Sequence, residues 1–280
     1  MTAAAASAGT AATHAAGSSF YAGMRVLPKA EREAMYAIYA FCRMVDDIAD
    51  DAQGSRAERA MALDRWRHDL DALYAGGDAG QAGLLAEGVR RFDLDRADFE
   101  AVIDGMAMDV ERDIRWPRAA ELDLYCDRVA SAVGRLSVRV FGMEREPGLL
   151  LAHHLGRALQ LTNILRDIDE DAAIGRVYLP KEALIDVGIT LTTPAEVTAD
   201  PRIDKAVRPL VAKAHDHYRA AHALLATKPK GHLIAPRLMD AAYAKLLRRM
   251  ETVGWTAPRV RVRVSKPALL WTVARLLVTR

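Results

Sequence analysis

The sequence predicts an all-α fold, a single helical domain packed around a core. Three observations carry that expectation. Alanine fills 52 of the 280 positions and only 6% of residues are aromatic, a composition that favours helix over strand. Almost every long segment repeats its apolar residues with the helical period. The one alternating stretch, RVRVRVSK at 259–266, is strand-like but has no second such segment to pair with.

Taken in order, residues 1–16 are rich in Ala, Ser and Thr, carry no Lys or Arg, and read as a disordered leader ahead of a domain spanning 17–280. Pro28 followed by KAEREAMYAIYAFCRMVDDIADD opens the first helix. Arg56–Tyr74 is the second, ended by AGGDAG at 75–80. Gln81–Phe92 and Arg96–Arg115 follow, with Pro117 closing that stretch. Leu122–Phe141 and Leu149–Asp171 are two long apolar helices. Gly175–Pro201 reads as loop with one short helix after Pro180, and Ile203–Ala226 and Leu233–Thr252 are helical again.

Composition excludes several classes. Lys+Arg 39 against Asp+Glu 37 leaves a net charge of +2, too little for a general nucleic-acid binder. Two cysteines, Cys42 and Cys126, make no disulfide framework and suit a reducing, cytoplasmic setting. No apolar run reaches the length of a membrane span. No G-x-G-x-x-G follows a strand, so a Rossmann-type nucleotide site is not expected, which leaves NADPH use by another route open.

Two acidic helix faces carry the chemistry. In VDDIADD, Asp46 and Asp50 stand at i and i+4 on one face, continued backwards by Arg43, Tyr39 and Tyr36. In LRDIDED, Asp167 and Asp171 repeat the spacing, continued by Asn163, Gln160 and Gly156. A lone pair of this kind is usually a solvated surface. Here both lie on helices too apolar to be surface elements, and each is preceded by an arginine, Arg43 or Arg166. Burying such carboxylates unpaired costs several kcal/mol each, so a cation is required. Oxygen-only ligands point to Mg²⁺ shared with substrate phosphates at the mouth of an apolar helical cavity, with the arginines on phosphate oxygens.

At these residues the chain resembles the squalene/phytoene synthase family of head-to-head prenyl-diphosphate condensing enzymes. The matching stretches are SSFYAGMRVLPKAEREAMYAIYAFCRMVDDIADD (18–51), YCDRVASAVGRL (125–136) and LQLTNILRDIDEDAAIGRVYLP (159–180). Within the family, the first block and the tail RVRVSKPALLW are most similar to bacterial presqualene diphosphate synthases of squalene and hopanoid biosynthesis. The resemblance implies an isoprenoid-synthase fold around a central apolar cavity and Mg²⁺-dependent condensation of two farnesyl diphosphates. Phytoene synthesis and complete squalene synthesis are the alternatives. A non-catalytic helical assembly protein is a remote one, since all four carboxylates are present.

Carried over residue by residue, the resemblance makes Asp46, Asp50, Asp167 and Asp171 the metal ligands, with Asn163 a further one. Ser19, Tyr39, Arg43, Arg166 and Tyr243 contact diphosphate, and Gln160 lines the channel. Tyr125 matches a tyrosine near the cation and reads equally as a core residue with a satisfied hydroxyl; the base is that tyrosine or released diphosphate. Val133 and Gly134 suit the cavity wall, Gly134 equally a helix contact. Asp104 and Asp109 are candidates to flank the cavity, with a surface role slightly favoured. His153 and His154 point apart, His217 points away from His215 and His222, and no histidine metal site is expected. Arg259, Arg261, Arg263 and Lys266 read as a solvated edge, a diphosphate contact, or a patch for peripheral attachment to the inner membrane surface.

Overall fold

The computed structural model describes residues 24–51 and 54–263. The leader, Ser19 and Lys266 lie outside them. Among the described residues there is no strand, only an isolated parallel bridge between Arg115 and Val177.

Helix α1 (Lys29–Asp50) buries Ala34, Met35, Ile38, Phe41, Val45 and Ala49, which leaves Asp46 and Asp50 off the packed stripe. Helix α2 (Arg56–Ala75) starts with a reciprocal Ser55–Glu58 capping box and ends on left-handed Gly76. The segment expected as one helix at 81–92 is a 3₁₀ turn, Gly80–Leu85, running into α3 (Ala86–Phe92). Helix α4 (Arg96–Glu111) stops short of the expected Arg115. Its exit is peeled away to pair with the chain after the second acidic motif: Val177 N donates to Ile114 O at 2.8 Å and Trp116 N to Val177 O at 2.7 Å.

The expected helix 122–141 is three pieces: α5 (Ala119–Cys126), a π turn (Asp127–Ser131) and α6 (Ala132–Val140). The extra residue of the π turn re-aims the side chains that follow it. Helix α7 (Arg145–Arg166) ends at Asp167, where the sequence pattern runs on, and α8 (Ile168–Ala173) resumes. The break has a physical cause. Leu165 O accepts the Trp255 indole N–H at 2.8 Å instead of serving the helix. One helical bond survives across it, from Asp171 N to Asp167 O at 2.8 Å, so the two carboxylates keep their one-turn spacing.

The 175–201 segment holds two short helices, α9 (Lys181–Asp186) and α10 (Pro194–Ala199), one more than expected; the second begins with a Thr193–Glu196 capping box legible as T-P-A-E. Helices α11 (Ile203–Ala206) and α12 (Arg208–Ala226) replace the single helix read there, with Pro209 at the restart, and α13 (Ile234–Val253) completes the set.

Two apolar clusters form the core. One is built by α1, α2, α4 and α6; the other by α5, α7, α12, α13 and the 177–207 segment, and Val129 and Met143 pack against both. Helix α7 is central, packing on α6, α12 and α13. Glycines permit this closeness. A Cβ on Gly156 would stand 2.8 Å from Ser131 Cα and N, and one on Gly134 would stand 3.0 Å from Ala152 Cα. Backbone cannot step aside as a side-chain tip can. Gly156→Ala should therefore cost about 1–3 kcal/mol, read as a lower denaturation midpoint at unchanged helix content.

Candidate active site

Both acidic motifs converge at one end of α1 and α7. Asp46 and Asp50 occupy the last turns of α1, with Arg43 a turn earlier. Arg43 Nη1 donates to Asp46 Oδ2 and Nη2 to Asp47 Oδ1, both at 2.6 Å. Burial, then the neighbouring Asp50 charge, pushes the Asp46 carboxyl up to about 6.

On the other side Arg166 forks onto its neighbour, Nε to Asp167 Oδ1 at 2.8 Å and Nη2 to Asp167 Oδ2 at 2.5 Å. Arg261 adds Nη2 at 2.6 Å and Nε at 2.9 Å to Asp167 Oδ1, and its Nε lies 3.1 Å from Glu170 Oε1. Arg259 pairs with Asp169. These two tail arginines thus stand over the second motif rather than on an unengaged edge; residues 259–263 are irregular, not strand. Asp171 is pushed up to about 8, by burial first and then by Asp167.

The two halves are tied together by Arg176. It is 7% exposed. Its Nη1 donates to Asp50 Oδ1 at 2.6 Å and its Nη2 to Ala49 O at 3.0 Å, while Nε lies 3.6 Å from Asp109 Oδ1. Asp109, read as leaning towards the surface, is 2% exposed. Its carboxylate accepts from Tyr178 at 2.8 Å and Tyr125 at 3.0 Å, and the two tyrosine rings stack with centroids 4.9 Å apart. Its charge also opposes ionisation of both Asp46 and Asp171. Asp104 does lie nearer solvent, paired with Arg67 at 2.6 Å. Sequence reasoning missed Arg176 and Tyr178, although both sit in the quoted block at five and seven residues past Asp171.

A cavity of about 320 Å³ runs inward between α1, the π turn, α6, α7 and α13. Tyr39, Gln160, Asn163 and Tyr243 stand on its polar side, and Val133, Gly134, Leu155, Leu159 and Met239 on its apolar wall. Gly134 is both wall and helix contact. Tyr125 is not among the lining residues. Tyr243 also stands close enough to Arg166 to help hold its guanidinium charged. Asn163 Oδ1 is buried without a hydrogen-bond partner. That orphaned oxygen, one turn before Asp167, is a donor of the same class as the four aspartate carboxylates, and oxygen donors of this kind suit Mg²⁺.

Residues 13–268 match the profile described as squalene/phytoene synthase. The chain belongs to that family. It is 64% identical over 262 residues to a presqualene diphosphate synthase of Zymomonas mobilis, covering 94% of this chain and 90% of the relative. It is 54% identical over 252 residues to one of Rhodopseudomonas palustris, covering 90% of each. Phytoene synthases are more distant. A crystal structure of a dehydrosqualene synthase superposes with a TM-score of 0.82 at 23% identity, covering 99% of this chain and 97% of that one. The fold of this family member is therefore the isoprenoid-synthase one.

Two predictions follow from the site's charges. Asp171 and Asp46 ionise in the folded protein at about 8 and about 6, against 3.8 ordinarily, so the metal-free fold holds protons that the unfolded chain releases. Stability should be greatest at acid pH and fall as pH climbs through that window. Scanning calorimetry should show the metal-free midpoint dropping towards pH 8, with Mg²⁺ restoring more there than at about pH 5. Removing the buried Arg176 charge leaves Asp109 uncompensated. Arg176→Met should cost about 3–5 kcal/mol in denaturant titration, and adding Asp109→Asn should return part of it.

Proposed function

We propose that the protein condenses two farnesyl diphosphates head to head, releases one diphosphate, and stops at presqualene diphosphate. The observation that carries the reaction is that Arg176, whose backbone N donates to Asp171 O, reaches across to Asp50 of the other aspartate pair, beside an apolar cavity lined by Tyr39 and Asn163 just upstream of the two pairs. The product follows from the 64% and 54% identical relatives that bear that name.

Asp46, Asp50, Asp167, Asp171 and Asn163 Oδ1 would hold Mg²⁺, which when bound supplies positive charge to a departing diphosphate. The chain's own groups do the rest. Arg43, Arg166 and Arg261 now sit on the carboxylates; with cation and diphosphate present they turn to phosphate oxygens, where their planar forks match. The apolar wall keeps water from the allylic cation, so the C2–C3 double bond of the second substrate is the nucleophile that reaches it. The C1–C2 bond forms first, and loss of a proton from the adduct closes the cyclopropane. Tyr125 is poorly suited to take that proton. Burial holds its phenol well above the ordinary range, and the hydroxyl already donates to Asp109. This favours the released diphosphate as the base, with Tyr125 a positioning residue.

No described helix is long and apolar enough to cross a membrane. A product with a C30 apolar chain and a diphosphate head favours a peripheral seat at a bilayer surface, which co-sedimentation with anionic vesicles tests.

Incubation with farnesyl diphosphate, Mg²⁺ and NADPH should give a C30 diphosphate by mass spectrometry, with NADPH unconsumed. Squalene as the main product would make the chain a complete squalene synthase, and a C40 product from geranylgeranyl diphosphate would move it to phytoene synthesis. Asp46→Asn and Asp167→Asn should each lose about 100-fold or more in turnover at saturating Mg²⁺ with helix content intact. Arg43→Lys should lose much of its activity, because an ammonium cannot make the two parallel bonds.

A further inference from the structure

On the far side of α7 from the cavity, three imidazoles meet. His153 and His154 are consecutive on α7, and His217 comes from the adjacent α12. His154 Nδ1 and His217 Nδ1 lie 3.0 Å apart. One ligand nitrogen from each of the three falls within 4.8 Å of the others. The sequence reading that dispersed them fails because it took each helix alone; α12 brings His217 back against the pair. None of the three lines the apolar cavity.

The surroundings permit a cation. Arg157 lies beside His153, but it is matched by Asp123 and Asp127 at 3.1 and 3.0 Å. Lys213 pairs with Asp123 at 2.8 Å, and Arg135 with Asp98 at 2.5 Å and Asp127 at 3.3 Å. These three cations face three carboxylates, so the neighbourhood is formally neutral. Burial first, then Arg157 for His153 and His154 and the other two imidazoles for His217, holds all three rings below the ordinary histidine range, His217 at about 4, which leaves them uncharged with lone pairs to give.

We propose that His153, His154 and His217 form a site for a borderline divalent cation of the Zn²⁺ class, distinct from the carboxylate site. Three nitrogen donors select Zn²⁺, Co²⁺ or Ni²⁺ over Mg²⁺, which takes oxygen. With Zn–N of about 2.0–2.1 Å, two nitrogens on a tetrahedral ion stand about 3.4 Å apart, close to the spacing of the His154–His217 pair. The exposed His153 ring turns to close the longer span. In turning it gives up its 2.9 Å bond from Arg157, which keeps Asp123, Asp127 and Ser131 Oγ. The solvent side leaves water as the fourth ligand. A bound ion here clasps α7 to α12 and acts on stability, not on the reaction.

The test uses the full chain with Zn²⁺ alone as ligand, in excess Mg²⁺, and in an Asp46→Asn/Asp167→Asn background that disables the carboxylate site. Calorimetric titration should find a single Zn²⁺ bound, the thermal midpoint should rise with Zn²⁺, and Co²⁺ in its place should give the intense visible bands of a nitrogen-rich tetrahedral site. Losing a ligand costs at least what losing a ligand's hydrogen-bond partner does, so His217→Ala and His153→Ala should each weaken Zn²⁺ by roughly 10–100-fold or more. Placed singly in the otherwise native chain, the two substitutions should leave Mg²⁺-supported turnover unaltered. His153 is exposed, so its variant keeps the test open should His217→Ala fold poorly. Zn²⁺ affinity unchanged in His153→Ala, or no Zn²⁺ bound in the aspartate background, overturns the proposal.

Discussion

A guanidinium held out of water decides how the two acidic helix faces meet. Arg176 reaches Asp50 on α1 and Asp109 on α4 from the segment that follows the second motif. Without a buried cation at that point, the carboxylates of Asp50 and Asp109 would have to approach from two helices in a low-dielectric setting, and each would protonate or move to solvent. With it, α1, α4 and the α7–α8 junction are fixed relative to one another. The pairing of Ile114 and Trp116 with Val177 serves the same end, since it anchors the segment that carries Arg176 and Tyr178.

The compensation is deliberately incomplete. Asp46 and Asp171 remain burdened by burial and by their own neighbouring carboxylates; Arg43 folds back onto Asp46, and Arg166 and Arg261 fold onto Asp167 beside Asp171. Such a site is poised for simultaneous gain of cation and polyanion. The cations satisfy the carboxylates, the released arginines satisfy the phosphates, and neither exchange leaves a buried charge bare. Beneath this polar mouth the packing is unusually close, with glycine backbone against backbone at α7 and the π turn. The same closeness that stabilises the wall gives it small side chains, and so room for prenyl chains.

Most of the helices and the two aspartate pairs were legible in the sequence, because period and spacing are local properties. Asp46, Asp50, Asp167 and Asp171 converge, and Gln160, Asn163, Val133 and Gly134 line the cavity. What escaped the sequence was decided by tertiary partners. The break at Asp167 depends on a Trp255 indole ninety residues away taking the Leu165 carbonyl. Asp109 reads as a solvated helix charge until Tyr125, Tyr178 and Arg176 are placed around it. The π turn at Asp127–Ser131 leaves no mark on apolar period beyond a shift that α5 and α6 share between them. His217 falls in the same class: its direction on α12 means nothing until α12 is laid on α7.

On the proposed reading, control of the product passes from side-chain bases to diphosphate placement. Among the described residues, the buried pair Tyr125 and Tyr178 is committed as donor to Asp109, so neither hydroxyl is a ready proton acceptor. If released diphosphate takes the proton, the anion that ends the first step is also the one whose departure frees the mouth. Stopping at the cyclopropane then requires only that product leave before its own diphosphate ionises. A barrier difference of about 2.7 kcal/mol shifts that partition roughly 100-fold. Repositioning one arginine fork between carboxylate and phosphate is worth that much, so enzymes sharing this fold and these carboxylates can differ in product without differing in ligands.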